Sequence, residues 1–124
     1  MSVTTIFVCD TCAFSSEEKT DAAGRTGGEI LAGLVERAAA GAERVEVRRQ
    51  SCLMGCEHPC NTAISAEGKL TYVLGRFEPG EGSAEAVVDY ARLHAESDSG
   101  VVPFRSWPQG VKGHFIARVP PLNG

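Results

Sequence analysis

Five cysteines in two tight groups are the feature that most restricts how this chain can fold. The first group lies near the start of the chain and the second near its middle, at Cys9, Cys12, Cys52, Cys56 and Cys60. Disulfides are rare in a reducing cytosol, where clustered cysteines more often bind a metal or carry out redox chemistry. An odd number of cysteines also excludes complete pairing within the chain. We therefore expect the two groups to form the two halves of one site.

Length and charge indicate one acidic domain in the cytoplasm. The 124 residues suit a single domain, and 12 Lys+Arg against 16 Asp+Glu give a net charge of −4. Because no basic block occurs, we expect no nucleic-acid partner and no anionic membrane partner. No apolar run approaches the roughly 18 residues that span a bilayer, and the first residues lack a basic, cleavable leader.

Hydrophobic periodicity predicts an α/β fold in the order β-α-β, then β-β-α around a mixed sheet. Segments 3–8 and 44–49 read as strands, and residues 26–29 (T-G-G-E) form a capping box that opens an amphipathic helix. Segments 62–66 and 69–74 read as a hairpin, and Ser83 is the expected N-cap of a second helix. The apolar stripe expected on that helix comprises Ala84, Val87, Val88, Ala91 and Ala95.

The C-terminal part of the chain differs in composition from the rest. We expect a metal- or cluster-binding domain over residues 1–100 and an extended, proline-rich tail over residues 101–124. The tail is apolar around Trp107 and Phe115, and segment 114–119 suits an edge strand. We expect it to pack on the domain or on a second copy, and therefore predict a homodimer.

The positions of the cysteines relative to the strands suit a metal centre. Cys9 and Cys12 follow the first strand, and Cys52 and Cys56 follow the second. If these strands are parallel neighbours, both loops leave the same edge of the sheet, and four thiolates face one point. Four cysteines bind either a [2Fe–2S] cluster, through its iron atoms, or a zinc ion, and spacing alone does not separate the two.

The residues around Cys52 and Cys56 favour the cluster over zinc. Gly55 lets the loop turn its backbone N–H groups toward the sulfur atoms. Leu53 and Met54 would form an apolar wall that limits the access of water.

Three alternatives remain open at this site. Cys60 can bind in place of Cys12, since C-x₃-C-x₃-C carries three thiols on one loop. His58 is a competent metal ligand, although a histidine in such a loop more often supports the ligands by a hydrogen bond or is exposed. Cys9 and Cys12 can instead form a dithiol centre, but such pairs lie at a helix start, and the predicted cap is 14 residues beyond Cys12.

The second cysteine loop resembles part of a known family. Cys52-Leu53-Met54-Gly55-Cys56, followed by Pro59 and later by Tyr72-Val73, is similar to the C-L-G-x-C…P…Y-Y segment of the thioredoxin-like [2Fe–2S] ferredoxins, which include the small cluster-bearing subunit of respiratory NADH dehydrogenases. The order of elements over residues 3–97 is similar too. This resemblance implies a thioredoxin-like fold, electron transfer with a reductase or oxidoreductase partner, and Cys52 and Cys56 as ligands. Cys9 and Cys12 match that family in location but are more closely spaced, and Cys60 has no counterpart.

A second resemblance covers nearly the whole chain. The chain is similar to an uncharacterised bacterial family of predicted metal-binding proteins whose members tend to lie near cobalamin-biosynthesis genes. The similarity rests on four motifs: V-C-x-x-C (8–12), C-L-x-x-C-x-x-P-C (52–60), G-K-x-T-Y-V-x-G (68–75) and A-R-V-P-P (117–121). It implies a metal site that includes Cys60 in its motif, does not name the metal, and suggests a redox partner linked to cobalamin biosynthesis.

These observations together predict an electron carrier rather than an independent enzyme. The chain contains no nucleophile elbow, phosphate-binding loop or H-E-x-x-H motif, so we assign no catalytic residue. The expected cofactor is a [2Fe–2S] cluster on Cys9, Cys12, Cys52 and Cys56. The alternatives are a structural or trafficking module that binds Zn²⁺, and a dithiol–disulfide oxidoreductase.

Overall fold

The computed structural model describes residues 3–9, 24, 26–42, 44–50, 61–77 and 80–120, without the side chains of Gln50 and Phe104. In these ranges the chain forms five strands and two α-helices. The strands are β1 (Thr4–Cys9), β2 (Val45–Gln50), β3 (Thr62–Ser65), β4 (Thr71–Leu74) and β5 (Phe115–Val119). The helices are α1 (Gly27–Ala39) and α2 (Glu81–Glu96), and a short 3₁₀-helix covers Phe104–Ser106.

The five strands form one mixed sheet in the order β2-β1-β3-β4-β5. β1 and β2 are parallel, as a strand–helix–strand unit requires, and the remaining pairs are antiparallel. This confirms the predicted mixed α/β fold and the predicted hairpin, formed here by β3 and β4. β5 adds an outer strand next to β4, with a bulge opposite Val73 and Leu74.

The capping box at the start of α1 is confirmed. The Thr26 hydroxyl accepts a hydrogen bond from the Glu29 backbone N–H at 3.1 Å, and the Glu29 carboxylate accepts one from the Thr26 N–H at 3.3 Å. These two bonds satisfy amide donors that a helix start otherwise leaves without partners. The helix ends at Ala39, and Gly41 follows with a φ of 84°, a left-handed conformation that suits glycine.

The prediction that Ser83 caps α2 is wrong. The helix begins at Glu81, and its N-cap is Gly80, which contributes no side-chain hydrogen bond. Gly80 has extended backbone angles, and its carbonyl accepts the first helical bond from the Ala84 N–H. The helix therefore starts one turn earlier than a side-chain cap would indicate, and Ser83 lies within its first turn.

The core lies between one face of the sheet and the two helices, which contact each other and both β1 and β2. Strand alternation sends Ile6, Val8, Ile64 and Leu74 to this face, where each is fully buried. All five residues of the predicted α2 stripe are buried as well. Neither helix of the described ranges has the length and apolar character needed to cross a membrane.

Candidate metal centre

Three strand ends meet at one edge of the sheet, which we call the cysteine edge: the end of β1 at Cys9, the end of β2 at Gln50 and the start of β3 at Thr62. In the parallel β1–β2 pair, Cys9 is the partner of Gln50. On the other side of β1, the Cys9 N–H donates a hydrogen bond to the carbonyl of Asn61 at 3.2 Å. The chain thus enters and leaves the segment 51–60 on either side of Cys9.

Cys9 is buried although it ends its strand. Strict alternation would place it on the face of Thr5 and Phe7, which are partly exposed, but only 3% of its surface is exposed. It packs against the apolar core. A buried thiol at the end of a parallel strand suits a ligand to a metal centre that excludes water.

The other predicted ligands and supporting residues lie outside the described residues. These are Cys12, Cys52, Cys56 and the alternative ligand Cys60, together with Leu53, Met54, Gly55 and His58. Within the described ranges, no three His, Cys, Asp or Glu side chains come close enough to hold a metal ion. The topology thus brings together the strand ends that flank both cysteine groups. Of the predicted ligands, Cys9 lies within the described residues.

Charged side chains near the cysteine edge are paired. Arg49, the partner of Val8 across the β1–β2 pair, forms a two-point ion pair with Glu36 of α1, with N–O distances of 2.6 and 3.2 Å. The hydrogen bond from Arg49 lowers the pKa of Glu36, against a smaller opposing effect of desolvation. Both side chains are more than one-third exposed, so the pair adds little to stability. It mainly holds the end of β2 against α1.

Two buried polar residues at the cysteine edge were missed by sequence reasoning. Asn61 and Thr62 are 1% and 0% exposed. The Thr62 hydroxyl has no hydrogen-bond partner among the described residues. The available signal was a polar pair that directly follows Cys60 and opens β3, but no periodicity rule distinguishes such a pair from an ordinary strand start.

A second buried polar group lies at the opposite end of β1 from the cysteine edge. His94 of α2 is fully buried. Its Nε2 lies 2.6 Å from the Leu70 carbonyl and its Nδ1 lies 2.9 Å from the Thr4 hydroxyl. Because a carbonyl only accepts, Nε2 carries the proton and Nδ1 accepts from Thr4 in the neutral ring.

Lys69 completes this buried group. Its Nζ donates to the carbonyls of His94 and Ala95 at 3.1 and 2.9 Å, at the C-terminal end of α2, where a positive charge is favourable. Desolvation lowers the pKa of both Lys69 and His94. The group joins β1, the connection between β3 and β4, and α2, and we assign it a structural role because it lies at the far end of β1 from Cys9.

The comparisons with known proteins give one match. The family described as "Protein of unknown function (DUF1636)" matches residues 6–121. No curated protein and no solved structure matches the chain. The family match includes every cysteine and all five strands except the first two residues of β1. Because it covers nearly the whole sequence, the chain belongs to this family.

Proposed function

We propose that the protein is a [2Fe–2S] ferredoxin-like electron carrier of the cytoplasm, with Cys9, Cys12, Cys52 and Cys56 as ligands. The observation that carries this proposal is the backbone pairing at the cysteine edge. Cys9 is the strand partner of Gln50, which lies two residues before Cys52. Its backbone N–H donates a hydrogen bond to the carbonyl of Asn61, the residue that follows Cys60. The described residues that flank the second cysteine group in sequence thus lie on either side of Cys9.

The described residues fit a thiolate-held centre. Cys9 would supply a soft ligand in a setting that excludes water, and the strands that precede the two cysteine groups, β1 and β2, end side by side. The order of elements, with a β3–β4 hairpin beside the parallel pair, supports the thioredoxin-like fold that the resemblance implies. When bound, the cluster would supply a site for one electron. The protein would accept that electron from a reduced partner protein and donate it to an oxidised one, without breaking a bond.

The burial of Cys9 argues against the dithiol alternative. A thiol that attacks a disulfide must be accessible and is usually activated at a helix start. Cys9 is almost fully buried at the end of β1. Cys9 is therefore better suited to bind a metal than to exchange disulfides with a substrate.

The proposal is tested on full-length protein purified without oxygen. We expect iron and sulfide in equal amounts, about two of each per chain, with visible charge-transfer absorption and an S = ½ signal after one-electron reduction. Colourless protein with one zinc per chain would reject the electron carrier in favour of the zinc module. Metal-free protein that reduces insulin disulfides would favour the dithiol enzyme.

Single Cys→Ser variants identify the ligands. Cys9→Ser, Cys12→Ser, Cys52→Ser and Cys56→Ser should each lose most of the visible absorption, while Cys60→Ser should retain it. Far-ultraviolet circular dichroism separates loss of the cluster from loss of the fold. If Cys60→Ser loses the cluster and Cys12→Ser keeps it, Cys60 is the fourth ligand.

A further inference from the structure

The ring of His94, near the end of α2, is enclosed from three directions. The hydroxyl of Thr4 in β1 lies 2.9 Å from Nδ1, and the carbonyl of Leu70 lies 2.6 Å from Nε2. The third side is formed by residues 97–102, which begin at the C-cap of α2 and which we call the strap. Gly100 of the strap lies against the ring, since a Cβ at this position would be 2.9 Å from Nε2. The ring is therefore fully buried.

This enclosure suits the neutral ring and not the protonated one. In the neutral ring Nε2 donates to the Leu70 carbonyl, and Nδ1 accepts from the Thr4 hydroxyl. A proton on Nδ1 would turn that hydroxyl into an acceptor and take away the partner of its own hydrogen. Thr4 is fully buried, so the lost bond would not be replaced by water. The new positive charge would be cut off from water as well, which adds to the cost.

The charges around the ring also oppose protonation. Lys69, in the connection between β3 and β4, donates to two carbonyls in the last turn of α2, one of them that of His94 itself. Arg44 and Asp98 act on Lys69 with opposite signs. The contacts from β1 and β4 are a neutral hydroxyl and the ring of Tyr72, whose centroid lies 6.1 Å from that of His94. A second positive charge beside Lys69 is therefore unfavourable.

The strap is the side of the enclosure that can open at the lowest cost. It contains no helix or strand, and half of its residues are exposed. Hydrogen bonds join it to the sheet from the Leu70 N–H to the Ser99 carbonyl at 3.0 Å, and from the Val102 N–H to the Tyr72 hydroxyl at 3.2 Å. The other two sides belong to the sheet and its β3–β4 connection. Local opening is easiest where few contacts hold an exposed segment, so water reaches the ring most easily from this side.

We propose that residues 97–102 form an acid-sensitive strap: protonation of His94 releases the strap from Leu70 and Tyr72 while the sheet stays folded. The proton comes from the solvent, and only hydrogen bonds are broken or formed. In the open form the imidazolium is hydrated, and the buried side chain of Val102 becomes accessible. The strap does not require a bound cluster, so this inference is independent of the proposed electron transfer.

Hydrogen exchange of single amides in the full-length protein, measured by mass spectrometry at pH 7.5 and pH 5.0, tests the strap. Each rate is divided by the rate of an unstructured chain at the same pH, which gives the ratio of open to closed forms. At Leu70 and Val102 this ratio should rise at pH 5.0 by at most about 30-fold, because an accessible histidine has a pKa of about 6.5. The Cys9 N–H, bonded to the Asn61 carbonyl at the opposite end of β1, should keep its ratio.

His94→Gln links the opening to the histidine. Its amide can keep both hydrogen bonds but does not titrate, so Leu70 and Val102 should have the same ratio at both pH values. A rise as large as that of the wild type overturns the role of His94. An equal rise at Cys9 shows unfolding of the whole domain and overturns the strap, as does a wild type without any rise.

Lys69→Met covers the case in which His94→Gln does not fold. Loss of its bonds to α2 should speed exchange of Leu70 and Val102 at both pH values. Loss of the neighbouring positive charge should at the same time make the rise between pH 7.5 and pH 5.0 smaller than in the wild type. An undiminished rise in Lys69→Met would overturn the proposal.

Discussion

His94 is a fully buried histidine that the fold holds in its neutral form. It donates to the Leu70 carbonyl and accepts from the Thr4 hydroxyl, and the positive charge of Lys69 lies close by. Desolvation, opposed by the bond to Leu70 and assisted by Lys69, lowers the pKa of His94. A histidine with a lowered pKa binds its proton more readily in the unfolded chain than in the folded one.

The burial of His94 predicts a pH-dependent stability. Its contribution is complete above the unfolded-state pKa of about 6.5 and is lost as the pH falls toward the lower folded-state value. The free energy of unfolding should therefore decrease from pH 7.5 to pH 5, by at most about 1.4 kcal/mol per pH unit from this one group.

Urea denaturation at several pH values tests this prediction. His94→Gln, whose amide can still donate to Leu70 and accept from Thr4, should show a smaller decrease than the wild type. An unchanged slope in His94→Gln would assign the effect to other groups.

Gly100 is the second residue on which this buried group depends. Its φ is 86°, and a Cβ at this position would lie 2.8 Å from Leu70 N and from Lys69 Cβ, and 2.9 Å from His94 Nε2. Gly100→Ala should therefore cost about 3 kcal/mol in the free energy of unfolding, because left-handed strain adds to overpacking. Gly113→Ala has a similar φ and open space, so about 1 kcal/mol is expected. Equal losses in the two variants would contradict the steric argument.

At the scale of elements, the two helices begin in different ways. α1 begins with a reciprocal pair of side-chain bonds between Thr26 and Glu29. α2 begins at a glycine, with Glu81 in its first turn, where a negative charge is favourable. A side-chain cap can be recognised in the sequence from its residue types and their spacing. A helix that begins at a glycine depends instead on where the preceding chain leaves the sheet.

This difference predicts a larger loss of stability for one of two substitutions to alanine than for the other. Thr26→Ala should lower the free energy of unfolding by about 1 kcal/mol, the usual cost of losing an N-cap. Ser83→Ala should change it by less than about 0.5 kcal/mol, because Ser83 does not cap α2. Thermal or urea denaturation of both variants is the measurement. A loss in Ser83→Ala as large as that in Thr26→Ala would restore Ser83 as a cap.

At the scale of the whole molecule, β5 is an outer strand of the sheet, and no other strand of the described residues pairs with its free side. It has β4 on one side, and all five of its residues are exposed, including the large apolar residues Phe115, Ile116 and Val119. An apolar edge strand is a template for pairing with another strand. The homodimer expected from the sequence would bury this edge by pairing two copies of β5.

Light scattering of the purified protein tests this pairing. The wild type should have twice the mass of one 13.1 kDa chain. Ile116→Lys should be monomeric, because a lysine on an edge strand opposes pairing. Val101→Lys introduces the same charge at an exposed valine outside the strands and should remain dimeric. A monomeric wild type would refute the dimer, and a dimeric Ile116→Lys would locate its interface elsewhere.

The order of elements and the shared position of the ends of β1 and β2 follow from the sequence because their causes are local. A T-x-x-E box marks the start of a helix, and alternation of apolar and polar residues marks a strand. A strand–helix–strand unit makes its two strands parallel and so places Cys9 and Gln50 at one edge of the sheet. The ligand assignments at Cys12, Cys52, Cys56 and Cys60 remain predictions, as does the metal.

The tertiary structure alone decided which polar side chains are buried. His94 and Asn61 have the same local sequence signals as surface residues, and their burial results from contacts with strands distant in the chain. The sequence does not show why position 100 requires glycine. The structure does, because a Cβ there would lie 2.9 Å from His94 Nε2. The physical reason is that the periodicity of apolar residues shows which face of a helix or strand is apolar. The desolvation of a polar side chain depends instead on what the rest of the molecule packs against it.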